Sequence, residues 1–352
     1  MLEEIKMRFD DISNEFKEQF DEMAKSAQKI AITSHIHPDD DSIGSTLSVY
    51  YYLTENLGIA KSRTDILYTG EGPERYERFP GYNKIRFVRD IAEKINEYDL
   101  LIITDASGWH RVSVSKGIEN YKGKRIAIDH HPTAENQHNL HLLAPQYTST
   151  CEIIYKQFFD IKNISKPEAE AILLGILGDT GNFRFISGKR AGVLTIAKEI
   201  IEKFNINIDE FKSGYDYVSL ESLKVLARLI NNIKVVKIGN WPPFLYSVLD
   251  LEYAASSGDE SHILSEGKAK FIDYLKAIKD VGWGFVVVPR AHNTCTISFR
   301  SEPGSVNVRL VAEKMQIGSG HDHASGATIS VKDPKDAANM IINWLENNSM
   351  EE

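Results

Sequence analysis

The sequence predicts an α/β protein in which a doubly wound, mostly parallel sheet is followed by a smaller α/β domain. Three short apolar runs rich in β-branched residues, KIAITS, DLLIIT and KRIAID, each stop at a polar residue. Helical patterns lie between and after these runs, for example over Ile43 to Glu55 and over Pro167 to Leu177. Buried strands that alternate with helices are typical of a parallel sheet covered on both faces. The length of 352 residues leaves room for two domains of ordinary size.

Residues 1–28 precede the first of these strands and predict an amphipathic helix. Their apolar side chains recur in steps of three and four residues, at Leu2, Ile5, Phe9, Ile12, Phe16, Phe20 and Met23. We expect this stripe to pack on the helix's own domain, although it could instead pair with a second chain in a homodimer.

The second domain follows a stretch in which the apolar periodicity weakens, over residues 205–216, before a helical pattern resumes. Beyond it, FLYSVLD, WGFVVVPR and CTISFR predict strands, and residues 267–279, 305–315 and 334–346 predict helices. We therefore expect an N-terminal helix over 1–28, a first domain over 29–204, a helical linker over 205–232 and a second domain over 233–347. The active site would then lie in the cleft between the two domains.

The composition is that of a globular protein and excludes several classes. Hydrophobic residues make up 42% and charged residues 26% of the chain, so extensive disorder is excluded. The formal net charge of −9 argues against a protein that binds long DNA or RNA through a general basic surface, but it does not exclude a small anionic substrate. The two cysteines, Cys151 and Cys295, are too few for a disulfide framework or a thiolate zinc site. We expect both to be small buried apolar residues.

The chain also has no segment that predicts a membrane partner. No run approaches 18 apolar residues, and the N-terminus is acidic where a signal peptide would be basic and then apolar. We therefore expect a cytoplasmic protein.

Carboxylates and imidazoles follow four separate segments of the first domain. They are His35, Asp39 and Asp41 after the first strand, Asp105 after the second, Asp129, His130 and His131 after the third, and Asp179 after an apolar helix. Ligands of open α/β sheets bind at the carboxyl ends of the strands. We therefore expect these side chains to meet at one edge of the sheet.

Taken one at a time, these residues have simpler explanations. Asp41 could cap the following helix, Asp105 could be a turn residue, and His130 with His131 could be a buried hydrogen-bonded pair. For the cluster to carry no function, all of these explanations would have to hold independently. Six of the eleven histidines also fall in three short polar segments, at 35/37, 130/131 and 321/323, and packing gives no reason for that grouping.

A cluster of this composition predicts divalent cations. Several carboxylates within a few ångströms repel one another and would take up protons unless cations compensate their charge. Oxygen ligands mixed with imidazole favour Mn²⁺, with Mg²⁺ and Co²⁺ as the other candidates. Two such ions about 3.5–4 Å apart would hold a phosphoryl group and lower the pKa of a water molecule between them. The residues therefore predict hydrolysis of a phosphate ester.

These motifs resemble the DHH phosphoesterase family, whose name is the triplet present here as Asp129-His130-His131. The resemblance covers about residues 29–347 and includes two motifs typical of the DHH-associated C-terminal domain. They are SFRS, over residues 298–301, and GSGHDHASG, over residues 318–326. Within the family, the two-domain layout resembles the nanoRNase/pAp phosphatase branch and the standalone phosphodiesterases of cyclic-di-AMP or pApA.

The resemblance implies two metal sites that share Asp105. The first would be formed by His35, Asp39 and Asp105, and the second by Asp41, Asp105, His130 and Asp179. Both sets consist of oxygen and imidazole ligands, in keeping with two Mn²⁺ ions.

The resemblance also implies roles in catalysis and substrate binding. His131, acting beside Asp105, would face the scissile phosphate as a hydrogen-bond donor or as the acid for the leaving group. Asp129 would orient His130 from behind the metal. The residues expected to bind substrate are Arg111 in the first domain and Arg300, Ser301, Gly318, Gly320 and His321 in the second.

This chain departs from the family pattern at two positions. HxxPDGD is HIHPDDD here, so that Asp40 stands where glycine is usual, and Ser319 stands within GSGH, where the family has GGGH. Asp40 would add negative charge beside the metals and need a non-helical backbone, which aspartate tolerates better than most residues. Neither residue is one of the expected ligands.

We therefore expect a Mn²⁺-dependent phosphodiesterase and phosphomonoesterase. It would release 5′-mononucleotides from very short RNAs or linear dinucleotides, and it could also convert pAp to AMP. The alternatives are a cyclic-di-AMP phosphodiesterase, an exopolyphosphatase or pyrophosphatase, and a non-catalytic nucleotide-binding regulator. The GSGH motif with Arg300 argues against a pyrophosphatase, and the full set of expected ligands argues against a regulator.

Overall fold

The first sheet consists of six parallel strands, which the sequence predicts in part. The computed structural model describes residues 14–106, 108–131, 138–256, 261–290 and 293–350. The strands of this sheet are β1 (Ile30–Thr33), β2 (Thr64–Thr69), β3 (Ile85–Val88), β4 (Leu100–Thr104), β5 (Lys124–Asp129) and β6 (Leu140–Leu143). Their order is β3-β2-β1-β4-β5-β6, so the winding direction reverses between β1 and β4. The carboxyl ends of β1 and β4 therefore flank the crevice where such sheets bind ligands.

Helices cover both faces of this sheet. They are α1 (Asn14–Ser26), α2 (Asp40–Tyr51), α3 (Trp109–Val112), α4 (Thr150–Phe158), α5 (Lys166–Asp179), α6 (Gly192–Phe204) and α7 (Ile208–Ser213). One large hydrophobic core includes side chains of α1, α2, α4, α5 and α6, and a second core on the other face includes Leu101, Ile103 and Trp109. The predicted doubly wound α/β fold is confirmed.

The N-terminal helix packs on its own unit over its described part. Phe16, Phe20 and Ala24 are fully buried, and the rings of Phe20 and Phe158 lie 4.8 Å apart. The apolar stripe that could have paired with a second chain is therefore covered from α1 onward. Residues 1–13 of the predicted helix lie outside the described residues.

The second sheet is mixed, as a smaller α/β domain allows. Its strands are β7 (Lys234–Val236), β8 (Phe244–Val248), β9 (Trp283–Arg290), β10 (Thr294–Ser301), β11 (Gly318–His321) and β12 (Ala324–Ile329), in the order β11-β12-β10-β9-β8-β7. Only the β8–β9 pair is parallel among the described strand pairs of this sheet. The helices are α8 (Leu220–Asn231), α9 (Leu251–Ser256), α10 (Ser261–Phe271), α11 (Val308–Lys314) and α12 (Pro334–Asn347).

The chain divides into two compact units, residues 1–217 and 218–352. The division falls inside the stretch 205–232 that the sequence marks as a linker. Helix α7 lies in the first unit, whereas α8 lies in the second and packs on α10, where a Cβ at Gly267 would collide with Val225.

Among the described helices, none combines the length and the apolar composition that crossing a bilayer requires.

Candidate metal centre

The loop after β1 carries the first pair of predicted ligands. His37 has φ 61°, and this left-handed residue turns the chain towards α2. Asp39 is the N-cap of α2, since its Oδ1 accepts the Ser42 backbone N–H at 3.0 Å. The capping role that the sequence allows for Asp41 therefore belongs to Asp39.

Asp105 lies at the middle of the predicted cluster, directly after β4. Its carboxylate is almost fully buried, and Oδ2 is 3.2 Å from His35 Nε2. Oδ1 is 3.5 Å from His130 Nε2 and 3.5 Å from His131 Nδ1. Its φ of 54° is rare for a residue with a side chain and requires support from the surrounding structure. One carboxylate thus faces imidazoles from two different loops.

Asp41 accepts hydrogen bonds from the N-terminus of α4, and the sequence did not predict this contact. Its Oδ2 accepts the Thr150 backbone N–H at 2.7 Å, and its Oδ1 accepts the Cys151 backbone N–H at 2.9 Å. The Thr150 hydroxyl also donates to Asp105 at 3.4 Å. The positive end of the α4 dipole therefore favours the ionised form of Asp41. The one sequence signal for this contact is the N-cap Ser149 before α4.

Asp179 is the last residue of α5, and its Oδ2 lies 3.0 Å from His130 Nε2. This oxygen is buried, and apart from the ion pair with His130 no hydrogen bond from another described residue reaches it. A buried carboxylate oxygen with so few donors is costly, and a bound cation would lower that cost.

The predicted ligands, together with the predicted catalytic residue His131, meet in three overlapping groups, and in each group the atoms that could bind a metal lie within 4.8 Å of one another. The groups are His35 with Asp39 and Asp105, Asp41 with His130 and Asp179, and Asp105 with His130 and His131. The donor set of carboxylate oxygens and imidazole nitrogens, which includes the buried Asp179 Oδ2, fits a hard or borderline divalent cation.

Without a cation, protons compensate the charge of this cluster. Burial and the charge of Asp105 raise the pKa of the Asp41 carboxyl to about 7. Burial, together with the charge of Asp41, also raises the pKa of Asp179 well above its usual value. Burial disfavours the charged form of His130, but Asp179 and Asp105 outweigh it and raise the pKa of His130 to about 10. Positive charge is therefore required here in one form or another.

Cation binding should consequently compete with protons. The Asp41 carboxyl has a pKa of about 7, so it is mostly protonated near pH 6 and mostly ionised near pH 8. We expect the apparent affinity for Mn²⁺ to rise by about tenfold or more over this range, since fewer protons have to be displaced. This pKa is higher in the folded chain than in the unfolded chain, so the cation-free protein loses stability as the pH rises towards 7. Mn²⁺ should therefore raise the melting temperature more near pH 8 than near pH 6. Calorimetric titration and thermal unfolding measure the two effects, and an affinity that does not depend on pH would contradict the placing of Asp41 in the centre.

The contact between α2 and α5 leaves no room for a side chain at Gly175. A Cβ there would collide with Cys151 Sγ and with Asp41 Oδ1. We expect Gly175→Ala to lower the free energy of unfolding by about 1–3 kcal/mol and to weaken cation binding, because Asp41 must move. Gly188→Ala is the matched control, since nothing lies within 4 Å of its Cβ position. Denaturant unfolding and calorimetric titration of both variants check the prediction, which fails if the two behave alike.

Asp129 binds His131 in the structure, and its expected role behind His130 stays a prediction. Its Oδ1 accepts hydrogen bonds from His131 Nδ1 at 2.7 Å and from the His131 backbone N–H at 3.0 Å. Its Oδ2 is buried and meets no donor among the described residues. Asp129 is fully buried at the end of β5, where its backbone position is fixed by pairing with β6. The bond to Nδ1 makes Nε2 the ring nitrogen of His131 that can serve a substrate.

The backbone of Asp40 is helical, so the prediction of a non-helical backbone at this position is wrong. It is the first residue of α2, and its Oδ1 accepts hydrogen bonds from Arg75 Nη2 at 2.6 Å and from the Tyr76 hydroxyl. Its added negative charge is therefore paired with Arg75. The same side chain fills the space beside Gly178, where a Cβ would collide with Asp40 Cβ.

Arg111 lies on α3 near the same loop. Its backbone carbonyl accepts the Ile36 N–H at 2.7 Å. Its half-buried guanidinium makes no hydrogen bond or ion pair within the part of the chain that the structure describes. Its donors therefore suit an anionic ligand.

The remaining predicted substrate residues lie in the second unit. Arg300 is half-buried on β10, and Ser301, fully buried, bonds through its hydroxyl to His323 Nδ1 at 2.9 Å. His321 is exposed at the end of β11. The glycine motif was expected to let backbone N–H groups approach an anion. In the structure a Cβ at Gly318 or Gly320 would meet the backbone of β12, so glycine at these positions allows β11 to pair with β12, and the part of these glycines in anion binding stays a prediction.

Comparison with known proteins finds a family model that matches part of the first unit, and relatives that are similar over most of the chain. Residues 29–176 match the model of the DHH family, N-terminal domain. The chain is 24% identical over 332 residues to the probable bifunctional oligoribonuclease and PAP phosphatase NrnA of Streptococcus mutans, which covers 92% of this chain and 96% of that protein. It is 26% identical over 317 residues to the bifunctional oligoribonuclease and PAP phosphatase NrnA of Thermus thermophilus, with 89% and 88% covered.

Two further likenesses concern the metal and the fold. A probable manganese-dependent inorganic pyrophosphatase of Streptococcus agalactiae is 25% identical over 189 residues, which is 52% of this chain and 58% of that protein. An exopolyphosphatase-related protein from Bacteroides fragilis, known from its crystal structure, matches with a TM-score of 0.78 at 24% identity. It covers 95% of this chain and 96% of that one, and it shows that the two share their fold.

Proposed function

We propose that this protein, whose residues 29–176 match the model of the DHH family, N-terminal domain, is a hydrolase that cleaves phosphoester bonds with the help of divalent cations. The observation that supports this most strongly is the meeting of buried carboxylates and imidazoles at the crevice between β1 and β4. Four carboxylates and three histidines in overlapping groups, each a few ångströms across, have no simple structural purpose. They do suit cations that hold a phosphoryl group.

The chain's own side chains would have distinct roles in this reaction. One ion would be held by His35, Asp39 and Asp105, and the other by Asp41, Asp105, His130 and Asp179. When bound, the ions would stabilise negative charge on the phosphoryl oxygens and lower the pKa of the attacking water. His131, held through Nδ1 by Asp129, would donate from Nε2 to a phosphate oxygen or to the leaving oxygen. Arg111 would bind a further phosphate oxygen.

We propose Mn²⁺ as the ion, with Mg²⁺ and Co²⁺ as weaker substitutes. Mixed carboxylate and imidazole ligands suit Mn²⁺, and they suit Mg²⁺ less well because it prefers oxygen ligands and retained water. The similarity to a pyrophosphatase named as manganese-dependent supports the same choice.

The proposed substrates are short oligoribonucleotides, cleaved to 5′-mononucleotides, and pAp, cleaved to AMP. The names of the two NrnA relatives, whose similarity extends over most of this chain, support both activities. Arg300, Ser301, Gly318, Gly320 and His321 would bind the end of the substrate away from the scissile bond. The net charge of −9 favours short substrates, because a long strand requires an extended basic surface.

A panel of substrates tests this proposal. The full chain would be incubated in Mn²⁺ with pApA, pAp, cyclic-di-AMP or pyrophosphate, and released AMP and phosphate would be measured, with a chelator as the control. We expect pApA and pAp to be hydrolysed with a kcat/KM at least about tenfold above those of the other two. Faster turnover of pyrophosphate or cyclic-di-AMP would replace the proposed substrate class, and nucleotide binding without any turnover would favour a regulator.

A further inference from the structure

Asp40 stands between two expected metal ligands and is held from another part of the chain. It is the first residue of α2, next to Asp39 and Asp41. Its Oδ1 accepts hydrogen bonds from Arg75 Nη2 at 2.6 Å and from the Tyr76 hydroxyl, which in turn accepts a hydrogen bond from Arg75 Nη2. The side chains of this ion pair are mostly removed from water, so the pair is held more firmly than an exposed one. We call Asp40, Arg75 and Tyr76 the α2 clamp.

The loop after β2, which supplies two members of the α2 clamp, is itself fixed by aromatic packing. Tyr76 is fully buried, and its ring centre lies 5.9 Å from that of Tyr82 and 6.3 Å from that of Tyr215, on which it stacks. The Tyr217 hydroxyl also donates to the Glu74 backbone carbonyl at 2.7 Å. The loop is therefore the fixed side of the clamp, and the first turn of α2 is the side that the clamp holds.

The start of α2 needs such support more at Asp39 than at Asp41. His37, two residues before Asp39, has a left-handed backbone that persists only where the surrounding structure holds it. Asp41 accepts hydrogen bonds from two backbone N–H groups of α4, which belong to a distant part of the chain. The Asp39 side chain is 54% exposed, and the backbone N–H that it accepts comes from Ser42 in the same turn. The position of Asp39 therefore depends on what holds that turn.

We propose that Arg75 is a positioning residue of the metal centre, which through Asp40 holds Asp39 in place for the ion of the first site. The inference rests on the proposed function and goes beyond it, since the glycine of the family pattern would give Arg75 no side chain to hold. Residues that orient a metal ligand typically change the metal affinity by about 10–100-fold. Because Asp41 has its own support from α4, the effect of Arg75 falls on the first site and not on the second.

Calorimetric titration of the metal-stripped full chain with Mn²⁺ tests this proposal without any substrate. We expect Arg75→Met to lower the affinity for one ion about tenfold or more and to leave the affinity for the other within about twofold. Arg75→Lys should recover part of the loss, because its ammonium group still donates to Asp40. Arg78→Met is the matched control, since it removes an exposed guanidinium from the same loop, and it should change neither affinity.

Two double variants show that Arg75 acts through Asp40 and on Asp39. Asp40→Gly, which restores the family residue, should weaken the same ion, and adding Arg75→Met to it should change the affinity by less than about twofold. Asp39→Asn should prevent the first ion from binding, so the ion that remains should not respond to Arg75→Met. Tyr76→Phe removes the other donor to Asp40, and it replaces Arg75→Met if that variant does not fold.

Thermal unfolding of the metal-free variants completes the test. A lower melting temperature of Arg75→Met with both Mn²⁺ affinities unchanged would overturn the proposal, because the α2 clamp would then only stabilise the fold. Equal losses for both ions would also overturn it, and so would a higher affinity, because Asp40 would then be a ligand that Arg75 withholds. If the wild type binds two ions and hydrolyses no phosphoester, the proposed function fails, and the titrations still decide the role of Arg75.

Discussion

Replacing Asp105 with asparagine should lower the kcat of Mn²⁺-stimulated phosphoester hydrolysis by about 10³-fold or more. Asp105 faces His35 and His130 from opposite oxygens, and it is the one carboxylate expected in both metal sites. Its loss would remove several kcal/mol of charge stabilisation in the transition state, and about 4 kcal/mol corresponds to three powers of ten. Steady-state kinetics on pApA, with calorimetric titration of Mn²⁺, measure both the rate and the number of ions bound.

A matched variant controls for the loss of a buried carboxylate. Asp90 is also buried, and its Oδ1 accepts hydrogen bonds from the Ala92 backbone N–H and the Ser113 hydroxyl outside the metal centre. Asp90→Asn should therefore change stability and not the number of bound ions. Full activity in Asp105→Asn would refute the assignment of the metal centre, whereas equal losses in both variants would indicate a general effect on folding.

His131→Ala should have the second largest effect, with a fall in kcat of about 10²–10⁴-fold and little change in Mn²⁺ affinity. This magnitude is that of a positioned proton donor. Asp129→Asn should cost about 10–100-fold, because Asp129 acts through the hydrogen bond from His131 Nδ1. Since Asp129 needs His131 to act, the double variant should be no slower than His131→Ala alone.

The comparison of these variants separates the two roles considered for Asp129. If it oriented His130, Asp129→Asn would weaken Mn²⁺ binding, and its effect would add to that of His131→Ala. A large fall in Mn²⁺ affinity in His131→Ala would instead make His131 a ligand. His141→Ala, on the neighbouring strand β6, controls for the loss of a half-buried histidine in the same sheet.

Three of the four inner strands of the first sheet were predictable because burial on both faces leaves a continuous apolar run. KIAITS, DLLIIT and KRIAID correspond to β1, β4 and β5. The outer strands β3 and β6 were not predicted, since each has half-buried or exposed positions and carries a weaker signal. In the second unit β11 was not predicted, because a strand of Gly-Ser-Gly-His has no apolar pattern.

The sequence predicted which residues form the candidate site, but it did not predict which partners each of them contacts. The residues that come directly after parallel strands lie at the same edge of the sheet. For this reason the sequence predicted that His35 and Asp105 would lie close together. The partners of Asp41 could not be foreseen, because they are backbone N–H groups of α4, which lies about 110 positions along the chain. The pairing of Asp129 with His131 depends on side-chain rotamers, and the pairing of Asp40 with Arg75 depends on the loop after β2. Neither leaves a pattern in the sequence.

The most direct test of the account is the release of AMP from pApA by the metal-stripped full chain as Mn²⁺ is added. The structure brings two overlapping ligand groups together around Asp105, so we predict no release without metal and a rise that saturates when two ions are bound per chain. Release that a chelator leaves unchanged would contradict the account. So would a folded chain that binds Mn²⁺ and releases no AMP at any concentration of the ion.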